Sequence, residues 1–293
     1  MTLASTFVPL AVAVVLGALG TTFHRRLPAE LAARTISVTL LAITFAALPS
    51  LWMLSLGYLA HTPLLGHELE WCSALLGVHA DIPTVIGVPA VTLAVVGVVR
   101  ALKVLRSHRS VRCDGAHIVD VVESHRPFAY TLPGSAGRIV LSTGLLDLLD
   151  AREQAVVLAH ERSHGRHRHD RMLLLAQLAD ALLPMLAVLS RRLHFSLERW
   201  ADSDAVREVR GDERLVARTL ARVALAATPD AVPALAFAGL GVPARVAALL
   251  GPLPRSAGAA TAAPLWGAIG FTAVMTVYQL HHLAMLIVDL CRH

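Results

Sequence analysis

The chain has 293 residues, of which 55% are hydrophobic and only 16% charged, and its mean hydropathy is +0.61; this is too apolar for an ordinary soluble globule. The net charge of +5 does not build a nucleic-acid-binding face, because the arginines flank apolar runs instead of gathering on one surface. Cys72, Cys113 and Cys291 have no CxxC spacing, so they indicate neither a disulfide framework nor a thiolate metal site.

Four apolar runs approach or exceed the roughly 20 residues needed to cross about 30 Å of hydrocarbon: residues 3–20, 36–60, 82–102 and 264–290. The first lacks a basic leader and is followed by His24, Arg25 and Arg26, the reverse of a secretory signal, so it reads as a retained helix. Arg25, Arg26 and Arg34 separate the first two runs, and Arg100, Lys103, Arg106, Arg109 and Arg112 follow the third, whereas residues 61–81 hold Glu68, Glu70 and Asp81 without Lys or Arg. The positive-inside bias then puts 61–81 outside and the segment after Arg100 in the cytosol, with both termini outside.

From 107 the pattern changes. "HIVDVV" (117–122), "PFAYTL" (127–132) and "RIVLS" (138–142) read as short strands separated by Pro and Gly turns. Asp150 stands three residues before Glu153, the spacing of a capping box, so a helix is expected from Ala151 to about Gly165. The apolar stretch 172–190 is interrupted by Asp180 and Pro184 and flanked by arginines on both sides. It is expected to be a broken hairpin that returns to its starting side, with Asp180 either lining the site or snorkelling to a partner.

The expected fold is mainly α: a polytopic membrane protein carrying a small α+β cytosolic domain. Residues 1–106 hold three membrane helices. Residues 107–262 form the cytosolic domain, interrupted by the hairpin, and residues 263–293 hold a last membrane helix.

"AHERSHGRHRHD" (159–170) lies on the expected helix. His160 and His164 are four apart and share one helix face, with Glu161 a step away. HExxH so placed offers two neutral imidazoles to zinc and a carboxylate to take a proton from water. A third ligand is required, and "LERWADSDA" (197–205) supplies Glu198 and Asp202 at helical spacing. One carboxylate can complete the site while the other orients a ligand histidine; alternatively both belong to a solvated face paired with Arg199 and Arg207. The ligand imidazoles must be neutral, so zinc affinity is expected to fall as pH drops through roughly 6.5.

"GRIVLSTGLLDLLDAREQAVVLAHERSHGRHRHD" followed by "ERWADSDA" resembles the BlaR/MecR-type integral-membrane zinc peptidases, relatives of the HtpX-type and CAAX-prenyl membrane proteases. The resemblance covers roughly residues 80–290. It implies a gluzincin-type catalytic domain in which His160, His164 and Glu198 bind one catalytic zinc ion, Glu161 is the general base and Asp202 supports a ligand from behind. It also implies a protein or peptide substrate, in the family commonly a cytosolic transcriptional repressor. Arg162 departs from the family, which places an apolar residue there. The chain ends soon after its last apolar run, so the penicillin-binding sensor domain of the antibiotic receptors is expected to be absent, and β-lactam sensing is not carried over.

Three further expectations accompany this reading. A strand from "PFAYTL" or "RIVLS" is to hold substrate as an added strand; His167, His169 and His194 are the candidates for stabilising an oxyanion; and Arg245 is to dock structurally. Two rivals stand beside the peptidase: a non-catalytic signalling scaffold with structural zinc, and a metal transporter using "HGRHRHD" with His281 and His282.

Overall fold

Most of the described residues are helical, and among them apolar sequence is concentrated in two long helices. In the computed structural model the described residues are 27–60, 62, 82–111, 119–134, 137–227 and 241–251, with five helical positions between 266 and 277. Helix α1 (Ala29–Ala60) and helix α2 (Thr84–Val111) contain stretches, Ala29–Leu59 and Thr84–Arg109, long and apolar enough to cross a membrane. The run at 3–20, nearly all of the 61–81 loop and of the run at 264–290, the three cysteines, His281 and His282 lie outside the described residues.

The two helices use their apolar side chains differently. Outward-facing residues of α2 include Val85, Val88, Val95, Val96, Val99 and Leu102, a surface suited to hydrocarbon and costly in water. Facing inward, α1 buries Ala33, Ile36, Leu40, Ile43 and Ala47 against the rest of the fold. It also starts earlier than residue 36, just after Pro28, a residue that cannot sit inside a helix without losing a hydrogen bond. Arg34 is therefore a helical residue instead of a loop residue. It pairs with Glu30 at 2.7 Å, and its guanidinium lies over the Trp200 ring, 5.4 Å from the centroid.

The sheet is three-stranded, in order β1 (Val119–Val122), β3 (Ile139–Ser142), β2 (Ala129–Thr131). β1 is parallel to β3 and β2 antiparallel. "RIVLS" thus supplies the central, fully buried strand, and of the two segments expected to hold substrate only "PFAYTL" lies at an edge. Leu132 N–H donates to Arg138 and Ser142 N–H donates to Phe128. The antiparallel alternation then turns the backbone groups of Ala129 and Thr131 to the free edge.

Ser142 caps α3 (Thr143–Leu148), its hydroxyl accepting from Leu145 N–H. Asp150 caps α4 (Ala151–Arg166) in the expected capping box with Glu153. The Glu153 carboxylate is buried and also accepts from Arg222 at 2.7 Å, which ties α4 to α7 (Glu213–Ala226). After a turn at Arg168, which takes a left-handed φ of 53°, α5 (His169–Leu182) runs to Leu183. Pro184 opens one 3₁₀ turn, and α6 (Ala187–Glu208) returns along α5. Ser190 Oγ donates to Ala176 C=O across the pair at 3.1 Å. Asp180 is half-buried and lies 4.0 Å from Arg100 of α2, so its neighbour is a basic residue and not the site. The short helix α8 (Val242–Leu250) follows.

Gly165 does not end α4. It lets the β2–β3 connection approach: a Cβ on Gly137, whose φ is +59°, would stand 2.9 Å from Gly165 Cα. Gly137→Ala combines left-handed backbone with this collision and is expected to cost on the order of 2 kcal/mol. Denaturant unfolding of the purified protein checks it, and an unchanged midpoint would contradict the close contact.

Candidate metal centre

Helices α4 and α6 converge on one point. Helix α4 presents His160 and His164 from successive turns, and the α5–α6 reversal at Pro184 returns Glu198 to them. Around them, Val156 and Ala159 of α4 pack with Ala205 of α6 and with Leu215 and Val216 of α7, while Trp200 of α6 sits in the core shared with α1 and α5. One ligand atom from each of His160, His164 and Glu198 lies within 4.8 Å of the others. The two Nε2 atoms are 3.1 Å apart, and each is 3.6 Å from a different oxygen of Glu198. Four-coordinate zinc with bonds of about 2.1 Å separates its ligand atoms by roughly 3.4 Å, so two imidazole nitrogens and a carboxylate at these spacings fit that ion.

Behind the three lies a buried layer of charge. Nδ1 of His160 is 3.1 Å from Oδ1 of Asp202, leaving Nε2 toward the centre. Arg245, on α8, donates through Nε and Nη2 to the two oxygens of Asp202 at 2.8 and 2.6 Å, and its Nη1 lies 2.7 Å from Glu198. The expected structural docking of Arg245 thus has a definite object: one guanidinium spans both carboxylates. The sequence clue was a single arginine in an otherwise apolar "VPARVAALL". Thr131, on the edge strand, was not foreseen and carries no sequence signal. Its hydroxyl lies 2.8 Å from both the backbone carbonyl and Oε2 of Glu161.

The remaining histidines are held by other partners. His167 Nε2 is 2.9 Å from Asp204, which also accepts from Ser163 at 2.7 Å, and its ring stacks on Trp200 with centroids 4.4 Å apart. His169 is fully buried with its Nδ1 2.9 Å from Nδ1 of His164. His194 is exposed and is not among the residues lining the cavity at the centre. Of the three expected oxyanion candidates, two are therefore engaged in packing and hydrogen bonding and the third lies away from the site. That cavity, about 430 Å³, is walled by the β2 edge, by Leu173, Leu174 and Gln177 of α5, and by His108 at the end of α2.

Burial and charge act on these groups in opposite directions. Burial disfavours a charged His160, but hydrogen bonds to Asp202 and Glu198 prevail and push it up to about 10. Burial and the neighbouring His160 push His164 down to about 4. Although burial opposes it, the hydrogen bond from His160 and the charge of Arg245 hold Glu198 well below the usual carboxylate range. Burial raises Glu161, only partly offset by His160 and by the Thr131 hydroxyl, which makes it a stronger base than an exposed glutamate. Histidine ligands must be neutral, so a metal has to displace the proton on His160.

Two outcomes follow from this electrostatic arrangement. A His160 held charged up to about pH 10 means that zinc affinity climbs steadily with pH across the neutral range, with about one proton released per ion bound. This shifts the transition upward from the roughly 6.5 of a free imidazole. Calorimetry in buffers of differing ionisation enthalpy measures the release, and a value near zero at pH 7 would contradict it. Arg245→Leu leaves two buried carboxylates without their cation and should destabilise the metal-free protein by about 3 kcal/mol. Arg245→Lys should recover little, because an ammonium cannot span both carboxylates in the fork geometry. Thermal unfolding with and without zinc tests both, zinc restoring part of the loss.

No curated protein and no solved structure matches the chain. Residues 100–233, which hold the edge strand, Thr131, His160, Glu161, His164, Glu198 and Asp202 but neither α1 nor Arg245, match Peptidase family M48, and this stretch is therefore similar to a metallopeptidase domain.

Proposed function

We propose that this protein is a membrane-anchored zinc endopeptidase that hydrolyses peptide bonds at the cytosolic face, with His160, His164 and Glu198 as the metal ligands. The observation that carries this reading is the meeting of those side chains from two helices, with a buried carboxylate, Glu161, fastened beside them by Thr131. Zinc bound there would polarise water and a substrate carbonyl, as it does in sites with three protein ligands and an open position.

The chain's own residues supply the rest. Glu161 takes the proton from the attacking water and passes it to the leaving amine. Asp202 keeps the proton of His160 on Nδ1, which leaves Nε2 as a ligand atom. Arg245 balances the buried carboxylates that would otherwise repel one another. The free edge of β2 at Ala129 and Thr131 offers a peptide an added-strand position along the cavity wall. A scaffold with structural zinc would need neither the base nor the open edge, and this favours catalysis.

The two apolar helices support a membrane location, and the BlaR/MecR-type likeness supports a signalling role in which the substrate is a cytosolic transcriptional repressor. Glu161→Gln should keep zinc while lowering turnover of an unfolded model protein by about 10²–10⁴-fold, and His160→Ala should lose both. Wild-type turnover by Glu161→Gln would remove the general-base assignment. A cytosolic protein shortened in wild-type cells and intact in Glu161→Gln cells would identify the substrate.

A further inference from the structure

We infer that His169 is a positioning residue for the metal centre: its Nδ1 accepts the Nδ1 proton of His164 and so keeps Nε2 of His164 a free lone pair. The inference rests on reading the cluster as a zinc site. The two Nδ1 atoms are 2.9 Å apart, a distance at which neutral imidazoles share one proton. Were that proton on His169, the proton of His164 would sit on Nε2 and point at Nε2 of His160, 3.1 Å away, where the ion belongs. With the proton on Nδ1 of His164, Nε2 is free to bind.

The two ligand histidines are oriented by different chemistry. His160 has a carboxylate behind it, Asp202; among the described residues, His164 has the neutral ring of His169. Charge gives the reason. Glu161, Glu198 and Asp202 carry three negative charges, which Arg245 and a divalent ion together cancel. A further carboxylate behind His164 would leave a buried net charge, whereas a neutral imidazole accepts the proton at no such cost.

The His169 ring is held in place for the task. It is fully buried, meets the His164 ring edge-on with centroids 4.9 Å apart and lies 5.0 Å from Trp200. Accepting at Nδ1 puts the proton of His169 on Nε2, which has no partner among the described residues; leaving that N–H without an acceptor is a cost that the bond through Nδ1 has to offset. A histidine kept only to fill space would not require a nitrogen at that position.

Isosteric substitutions in the full-length, detergent-solubilised protein separate the two roles. An asparagine side chain can place its oxygen near the position of Nδ1, and a glutamine places its own near Nε2. In zinc titrations against a chromophoric chelator, His169→Asn should bind close to wild type, while His169→Gln and His169→Leu should weaken binding by about 10–100-fold. Equal affinities for the Asn and Gln variants, or wild-type affinity in His169→Leu, would overturn the inference. Nitrogen-15 NMR of metal-free wild type adds a measurement that no folding defect can obscure. It should show the His164 proton on Nδ1, and a proton on Nε2 would overturn the assignment. A wild type that binds no zinc would count against the metal reading itself, and the NMR tautomer would still decide the role of His169.

Discussion

The arrangement depends on one concentration of charge where a fold ordinarily places none. Glu198 and Asp202 are turned into the interior on one face of α6, and each must meet a cation or a proton to remain there. Arg245 meets both, His160 shares a proton with them, and the cavity beside them is where a divalent ion would supply the rest. Removing one partner from such a set costs more than the set contributes as a whole, because the others are left charged and dry. The centre is therefore a unit, and its parts have to be assembled together.

Assembly is the work of the apolar framework. Trp200 of α6 is packed into the core formed with α1 and α5, so the helix carrying Glu198 cannot rotate without disturbing the longer of the two described apolar helices. Arg34 of α1 lies over the same indole whose other neighbours are His167 and His169. A long apolar helix thus shares its packing with the side chains behind His164. Glu153 and Arg222 bind α4 to α7, and Ser163 and His167 meet at Asp204 to bind α4 to α6. These polar links sit within one or two turns of His160, His164 and Glu198, where a small shift would separate them.

The sheet contributes position in place of mass. Its central strand is buried on every residue, which leaves β2 as a rigid edge beside the cavity and holds Thr131 against Glu161. The paired glycines at 137 and 165 let the strand connection and the helix touch backbone to backbone. The edge strand, Glu161 and the two imidazoles therefore form one continuous wall.

What the amino-acid order determined alone was local. Helical spacing put His160, Glu161 and His164 on one turn-to-turn face, the Asp150–Glu153 box set the start of α4, Pro184 broke the apolar stretch, and the short β-branched runs announced the strands. Each follows from interactions within a few residues of the chain. Which strand lies at the edge, what Arg245 grips, that Arg34 covers Trp200, that Thr131 reaches Glu161 and that His169 stands behind His164 were decided only by tertiary structure. Most of those contacts join residues tens of positions apart, and the five-residue step from His164 to His169 crosses the turn at Arg168; their geometry comes from how helices pack and a hairpin closes, which neither periodicity nor spacing encodes.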